Sequence, residues 1–384
     1  MKTWFLILFV FILPLPLMGQ LNQSSFHDNI QISQSDSGKL FLGIQNYNLF
    51  KNNEYNNNID QGFTIFGSAV NTSLKYYPTS KILIEGGVHL LAYYGTGKLD
   101  RITPIIRFQY QPYINFRIVI GNLYGGLNHG FIEPLYRFER YIEDSPETGL
   151  QLLYTSNHFD SDLYLDWRQY IFRDSYSEKE KFTLGWNSKV KFLNPETPFQ
   201  VELPVQILCI HSGGQVDTTS IPPVTLMNLA TGAIVKYRFN NNIVSEAGVI
   251  FYYALYNDLS HEKNQIFKNG NAIYPLVYAK SKLLNVYFGY WNASNFIAPL
   301  GEPIFSSISY IDENLSFPER ELILFKIDFH HQISRGAFLG VRYEGYYDLL
   351  GTNINEKETQ YDFSYGVYIN FNRDFFIKEI KKFK

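Results

Sequence analysis

Apolar and polar residues alternate with a period of two in many segments of the chain, which is typical of β-strands with two different faces. The clearest segment is 361–371, where apolar side chains take every second position from Tyr361 to Phe371 and mostly polar or small residues lie between them. These segments are about 9–12 residues long. A tilted strand needs about 9–11 residues to cross a bilayer, whereas strands of soluble proteins average about 5–6.

The alternation predicts about 16 strands, with 14–18 as the range. They lie near 39–48, 62–77, 82–94, 101–111, 113–121, 148–156, 161–172, 180–192, 199–211, 225–239, 242–256, 272–280, 283–293, 319–332, 336–347 and 359–371. No segment beyond the N-terminus has 18 continuous apolar residues, so a helical span is not expected. The sequence therefore predicts an all-β fold, a transmembrane antiparallel up-and-down β-barrel.

Short and long connections alternate along nearly the whole chain. The short ones fall at 77–81, 111–112, 240–241, 280–282 and 334–336, and the long ones at 50–61, 122–147, 211–224, 257–271, 293–318 and 349–357. Bacterial outer-membrane barrels have short periplasmic turns and longer outer loops, with an even strand number. The pattern predicts that both mature termini are periplasmic.

The N-terminus has the three parts of a secretory signal. A short positive start at Lys2 is followed by an apolar run, 4–17, and by the small residue Gly19. We expect a signal peptide at 1–19, a periplasmic leader at 20–38, the barrel at 39–371 and a basic periplasmic tail at 372–384. A retained N-terminal anchor is the alternative for the first segment.

Composition agrees with a chain that faces lipid on one side and water on the other. Tyr (30) and Phe (32) are abundant, and only 18% of the residues are charged. The net charge of −3 gives no reason to expect nucleic acid as a partner. The single cysteine, Cys209, excludes an internal disulfide scaffold and a cysteine-rich metal site.

Aromatic residues near the predicted strand ends are candidates for the girdles that barrels carry at the two membrane interfaces. The alternative for each is a place in the lumen or a cross-strand pair. They are Tyr76, Tyr77, Tyr93, Tyr94, Tyr252, Tyr253, Tyr346 and Tyr347.

The mature chain resembles the outer-membrane β-barrel proteins of Bacteroidota-type bacteria. The resemblance rests on the end of the signal at Leu17-Met18-Gly19-Gln20, the loops rich in Asn and Tyr, and the aromatic terminal strand 361–371. It implies an outer-membrane location, insertion by the barrel-assembly machinery and a pore, transport or scaffold role. The chain departs from the pattern at 372–384, because many barrels end at an aromatic C-terminus.

A barrel of about 16 strands is wide enough for an aqueous channel. Charged residues of both signs are predicted to face the lumen and to tune selectivity. They are Arg107, Arg117, Asp166, Arg168, Lys189, Lys191, Glu202, Glu246, Lys326, Asp328, Arg342 and Glu344. The alternative is that they pair with one another and fill a plugged interior.

The long connection 122–147 begins with several glycines and continues with mixed charge and apolar anchors. By analogy with general porins, whose third loop folds inward, this loop could narrow the pore. Glu133, Arg137, Glu139 and Arg140 are then expected to line the constriction. An outer flap or a docking surface is the alternative.

The sequence gives little support for catalysis, and we expect the protein not to be an enzyme. None of the candidate histidines sits in a recognisable nucleophile motif; they are His89, His129, His158, His211, His261, His330 and His331. The favoured function is a porin-like channel for passive diffusion of small polar solutes, with no cofactor or metal. The alternative is a non-conducting barrel that serves as a subunit or scaffold of a larger outer-membrane complex. Expected partners are outer-membrane lipid, the solutes, and other outer-membrane proteins or further copies of the chain.

Overall fold

The computed structural model describes residues 31–172, 179–214, 222–241, 243–262, 264–352 and 360–380. The signal peptide expected at 1–19 lies outside the described residues. In the described part of the chain, sixteen antiparallel strands form one closed barrel. The strands are β1 (Lys39–Glu54), β2 (Thr64–Thr79), β3 (Ile82–Tyr93), β4 (Arg101–Tyr113), β5 (Phe116–Asn122), β6 (Thr148–Thr155), β7 (Phe159–Gln169), β8 (Lys181–Lys191), β9 (Phe199–Ser212), β10 (Val224–Arg238), β11 (Glu246–Asp258), β12 (Asn269–Lys280), β13 (Leu284–Ser294), β14 (Glu319–Ser334), β15 (Ala337–Asp348) and β16 (Tyr361–Glu379). The predicted fold class and strand number are confirmed.

Each strand pairs with its sequence neighbours, and β16 closes the ring by pairing with β1. In that closing pair Glu54 lies opposite Phe363 and Lys39 opposite Glu379. Closure leaves no unpaired sheet edge, so the backbone N–H and C=O groups of every strand have partners within the wall.

Among the residues that the structure describes, helical structure is confined to short segments outside the strands. These are the one-turn helix α1 (Arg140–Glu143) and the 3₁₀ turns Gln34–Asp36, Gly126–His129 and Pro303–Phe305. Among the described residues, none belongs to a helix whose length and hydropathy would suit a bilayer crossing.

The side-chain alternation places large apolar groups on the outside of the wall. Ile106 is 68% exposed, whereas Gln109 on the opposite face of the same strand is fully buried. The aromatic pairs divide in the same way: Tyr253 and Tyr347 are exposed, and Tyr252 and Tyr346 are buried. Consecutive residues of a strand point to opposite faces, so only one member of each pair can contribute to an outer girdle.

The C-terminal segment differs from the expectation. Residues 372–379 belong to β16, which continues to Glu379 rather than ending at Phe371. This extension exists because β1 begins at Lys39 and offers partners along its first residues, such as Phe41 opposite Phe376. The rest of the predicted tail, 381–384, lies outside the described residues.

Two long connections enter the barrel from the end where the long loops lie. We call residues 123–147 the first inward loop and residues 295–318 the second inward loop, and both together the plug. Their backbones are joined, since the Arg137 N–H donates to the Leu300 carbonyl at 2.9 Å and the Glu302 N–H to the Glu133 carbonyl at 3.0 Å. The two loops of the plug are thus hydrogen-bonded to each other.

Candidate functional site

An apolar cluster holds the second inward loop against the wall. Trp291 of β13 packs edge-to-face with Phe296 and Phe305, each ring centroid 5.1 Å away. Its indole N–H donates to the Phe305 carbonyl at 3.1 Å. Arg320 of β14 donates to the carbonyls of Ser306 (3.1 Å) and Ile304 (2.9 Å). These bonds satisfy loop carbonyls that would otherwise be buried without a partner.

Opposite charges fasten the first inward loop to the wall. Glu133 forms ion pairs with Lys326 and Arg342, and Glu139 pairs with Lys51. Glu344 lies within ion-pair distance of all three cations, at 3.7 Å from Lys51, 3.1 Å from Lys326 and 2.7 Å from Arg342. Glu133, Glu139 and Glu344 thus each lie against a cation of the wall, which satisfies the condition under which charges can be buried.

A buried histidine makes a second attachment of the same loop. His129 Nδ1 donates to Asp162 Oδ2 and Nε2 donates to Glu147 Oε2, each at 2.7 Å. Its ring stacks on Tyr164 with centroids 3.6 Å apart and an interplanar angle of 11°. Gly185 makes room for this stack, because a Cβ there would lie 2.1 Å from the Tyr164 ring.

Donation by both ring nitrogens requires the imidazolium form. Burial alone lowers the pKa of His129, but the carboxylates of Asp162 and Glu147 outweigh it and raise that pKa to about 10. Burial raises the pKa of Glu147, and the His129 cation reverses this and lowers it to about 2. His129 is therefore a structural cation at neutral pH and has no free lone pair for general-base chemistry.

The residues predicted to line the pore or constriction lie in this ion-pair system or in similar pairs along the wall. Eleven of the twelve wall residues have an ion-pair partner, and Arg117 instead donates to the Ile114 carbonyl at 3.2 Å. In the loop, Arg137 pairs with Glu143 (2.5 Å) and Arg140 with Asp144 (2.8 Å). That these residues line a conducting path stays a prediction.

Below the plug, on the side of the short turns, the barrel encloses a cavity of about 470 Å³. It is bounded by the β1–β4 wall, the underside of the first inward loop, the turn at Arg335 and the C-terminal strand near Asp374. The cavity thus lies between the first inward loop and the short-turn end of this part of the wall.

The outer surface of β1 and β2 carries an unusual run of polar side chains. The alternation puts Asn46, Asn48, Asn52 and Glu54 on the lipid-facing side, with Phe50 among them. Asn48 Nδ2 donates to Asn46 Oδ1 at 2.6 Å, and Asn46 Nδ2 donates to the Ser68 hydroxyl at 3.2 Å. Polar side chains in contact with lipid are costly, so such a run suggests a function.

At the long-loop end of this run, a carboxylate, an amide and two hydroxyls form one hydrogen-bonded group. Asn52 Nδ2 donates to Glu54 Oε1 at 2.5 Å and approaches the Tyr365 hydroxyl at 3.4 Å. The Thr64 hydroxyl donates to Asn52 Oδ1 at 2.6 Å. We call Asn52, Glu54, Thr64 and Tyr365 the rim group. Glu54 is exposed, so its second oxygen can accept a hydrogen bond from water.

A similar but less extensive group lies on β13 and β14. Asn292 Nδ2 donates to Glu321 at 3.1 Å and approaches the Tyr290 hydroxyl at 3.4 Å. The lipid-facing residues below it, such as Phe288 and Phe325, are apolar. Only the rim group on β1 and β2 continues into a polar run, and this difference distinguishes the two.

A metal centre has no evident ligand set: among the described residues, no group of three or more His, Cys, Asp or Glu side chains could hold a metal ion.

A closed 16-strand antiparallel barrel with an apolar outer face and a packed lumen is the fold of outer-membrane barrel proteins. The sequence matches the Lipid A 3'-O-deacylase-type family over residues 32–380, and the chain belongs to that family. The match and the fold confirm the resemblance to Bacteroidota-type outer-membrane barrels.

Solved structures of outer-membrane proteins are similar to this chain at low sequence identity. OprD of Pseudomonas aeruginosa has a TM-score of 0.50 and 7% identity, over 92% of this chain and 100% of that one. OmpT of Vibrio cholerae has a TM-score of 0.48 and 10% identity, over 87% and 100%. OccAB3 of Acinetobacter baumannii has a TM-score of 0.48 and 9% identity, over 88% and 99%. No curated protein matches the sequence.

The family corrects one expectation: the sequence analysis predicted that the protein is not an enzyme, and membership in an enzyme family overturns this. Catalysis was expected only where a histidine lies within a local nucleophile motif. The rim group has no such motif, because strand pairing brings Glu54, Thr64 and Tyr365 together from distant parts of the sequence. Asn52 and Glu54 fall in the predicted long connection 50–61, but they belong to the end of β1.

Proposed function

We propose that the protein is an outer-membrane hydrolase that cleaves an acyl ester of a lipid A-type glycolipid, with the rim group as its active site. The observation that carries the proposal is the lipid-facing polar run of β1 and β2. An acyl ester of a membrane glycolipid lies at the interface of the bilayer, and a closed hydrogen-bonded wall separates it from the lumen. A site on the outer surface of the wall is the one such a substrate reaches.

The geometry of the rim group suits attack by water. Glu54 Oε1 accepts a hydrogen bond from the Asn52 amide, which leaves Oε2 free to act as a general base. Oε2 takes a proton from a water molecule while the oxygen of that water attacks the ester carbonyl. The Tyr365 oxygen accepts from Asn52, so its own O–H can donate to the carbonyl oxygen that becomes negative. The intermediate then expels the sugar hydroxyl, which receives the proton, and the fatty acid is released.

The remaining members of the run orient the substrate. The Thr64 hydroxyl fixes the Asn52 amide, which in turn fixes both Glu54 and Tyr365. Asn46 lies eight positions from Glu54, about 26 Å along the strand at about 3.3 Å per residue. Asn46, Asn48 and Ser68 thus offer polar contacts to amide or ester groups of acyl chains that lie along the wall.

The test uses purified barrel in vesicles that contain a lipid A-type glycolipid, with released fatty acid measured by mass spectrometry. Glu54→Gln is expected to lower the rate by about 10²–10⁴-fold, the usual contribution of a general base. Glu321→Gln is the matched control, since it removes the same carboxylate from the similar group on β14. Release that depends on Glu321 rather than Glu54 would reject the site. No release by the wild-type protein would reject the function.

Passive diffusion of small polar solutes is a second candidate, supported by the cavity at the short-turn end. It requires that the plug opens. Permeation that falls with sugar size in a liposome-swelling assay supports passive diffusion. The absence of permeation supports a non-conducting barrel. We also propose that both termini and the short turns lie in the periplasm. Contacts with other membrane proteins or with further copies of the chain are part of this proposal.

A further inference from the structure

The cavity below the plug is large enough for a ligand. Its volume of about 470 Å³ falls within the range of roughly 300–1,000 Å³ that is typical of small-molecule sites. It lies on the lumen side of β1–β4, whereas the rim group lies on the lipid side, so the wall separates the two.

Two buried polar atoms of the cavity wall have no hydrogen-bond partner: Nε2 of His89, which is 1% exposed, and Nδ2 of Asn122, which is 3% exposed. Leaving a buried polar group unpaired costs about 1–3 kcal/mol. Both residues line the cavity, so a molecule in it can satisfy them.

The neighbours of these residues determine what each atom can bind. Asn71 Nδ2 donates to Gln45 at 2.8 Å, so Asn71 Oδ1 is the acceptor for the proton on His89 Nδ1 at 2.6 Å. His89 Nε2 is then a hydrogen-bond acceptor. Asn122 Oδ1 accepts from the Ile106 N–H at 2.5 Å, which leaves Nδ2 as a donor. The cavity thus presents one acceptor and one donor. Hydroxyl groups can pair with both kinds of atom, because a hydroxyl can donate a hydrogen bond and can also accept one.

Charges along the described part of the cavity wall neutralise one another. Lys75 pairs with Asp374 at 2.8 Å, Arg107 pairs with Glu85 at 2.6 Å, and Glu147 pairs with His129 of the plug. Only the exposed arginines at the mouth, Arg335 and Arg373, lack a carboxylate in ion-pair distance. The interior therefore has no net charge to attract an ion.

The rest of the lining consists largely of amide and tyrosine side chains. Gln45, Asn71 and Asn128 supply amides, and Tyr47, Tyr124 and Tyr141 supply aromatic rings with hydroxyls. Amides bind hydroxyls as donors and acceptors, while tyrosine rings provide flat apolar surface.

We propose that this cavity is a binding site for a small uncharged saccharide, which enters from the short-turn end. The saccharide's hydroxyls donate to His89 Nε2 and accept from Asn122 Nδ2, and its ring packs on the tyrosines. The site is independent of ester hydrolysis, since no residue of the rim group contributes to it.

The test is calorimetric titration of the detergent-solubilised full-length barrel with maltose, galacturonate and inorganic phosphate. Maltose is expected to bind, and His89→Ala is expected to weaken binding at least about tenfold. His330→Ala is the matched control, because His330 also has a buried ring nitrogen without a partner but does not line the cavity. Heat-modifiable gel migration verifies that each variant folds. If His89→Ala does not fold, Asn122→Ala takes its place with the same expected loss.

Three results would overturn the inference: no binding of maltose, binding of galacturonate or phosphate alone, and equal losses in the His89 and His330 variants. The experiment measures saccharide binding and not ester hydrolysis, so failure of the hydrolase proposal would leave the saccharide proposal unaffected.

Discussion

Replacing His129 with leucine tests whether the plug is held by the buried imidazolium. The substitution places an apolar side chain of similar size beside Tyr164, but it leaves Glu147 and Asp162 without their cation. Removal of one partner from a buried ion pair costs about 3–5 kcal/mol. We expect this cost to appear mainly as a lower free energy of plug opening, because sheet hydrogen bonds hold the barrel wall independently.

The measurement is amide hydrogen exchange of the first inward loop, followed by mass spectrometry on the protein in lipid nanodiscs. A loss of about 3–5 kcal/mol corresponds to exchange about 10²–10⁴-fold faster for amides that exchange through opening. His330→Leu is the control and is expected to leave loop exchange unchanged. Unchanged exchange in His129→Leu would refute the assignment of this histidine as the attachment point.

A rescue experiment separates the charge from the packing. Adding Glu147→Gln and Asp162→Asn to His129→Leu removes the two uncompensated carboxylates. Neutral amides tolerate burial far better than unpaired charges. Exchange is therefore expected to slow again toward the wild-type rate. If the triple variant exchanges as fast as the single one, lost stacking on Tyr164 rather than lost charge explains the effect.

Three further predictions concern the plug. The pKa of His129 is about 10 in the folded state and exceeds the ordinary 6.5, so His129 contributes stability that is complete below about pH 6.5 and is lost as the pH rises toward 10. Amide exchange of the first inward loop, corrected for the intrinsic pH dependence of exchange, should therefore accelerate over that interval. An exchange rate that does not change with pH would contradict this prediction. Deleting 126–138 should raise single-channel conductance in planar bilayers, and an unchanged conductance would remove the constriction hypothesis. Arg320→Met frees two loop carbonyls and the carboxylate of Asp348, so residues 295–318 should become cleavable by a protease added to intact vesicles; continued resistance would show that apolar packing alone holds them.

The barrel was predictable because its signal repeats. A lipid-facing apolar residue at every second position, as in 361–371, occurs in strand after strand, and the alternating loop lengths give the direction of each strand. Errors at individual boundaries, such as the C-terminal end of β16, do not change the strand count. Local patterns therefore determine the architecture.

The plug was less predictable, because its contacts join residues far apart in the sequence. Nothing near Glu133 indicates that it will meet Lys326 and Arg342. Composition did suggest that the inward charges could pair with one another, and pairs are what the structure contains along most of the wall. The partners themselves depend on strand register and on the path of the loop.

The β1 strand shows why the rim group escaped the sequence analysis. The apolar side chains of Tyr47 and Leu49 point inward, where they pack near Phe138 and Ile142 of the plug. The polar residues Asn46 and Asn48 consequently face lipid, which reverses the usual rule for a barrel strand. Because the period of two is kept while the sign is inverted, the pattern predicts a strand but does not indicate that Asn46 and Asn48 face lipid.

The inverted strand also connects the plug with the proposed active site. Apolar residues of the first inward loop need an apolar patch on the lumen wall, and β1 supplies it with Tyr47 and Leu49. Since successive residues of a strand alternate in direction, the intervening positions of β1 must face the bilayer. At those positions the chain has asparagine and glutamate, although an apolar side chain could contact lipid without the desolvation cost of a polar group. The plug explains the residues that point inward but not the polar ones that point outward, so the latter require a function at the lipid surface.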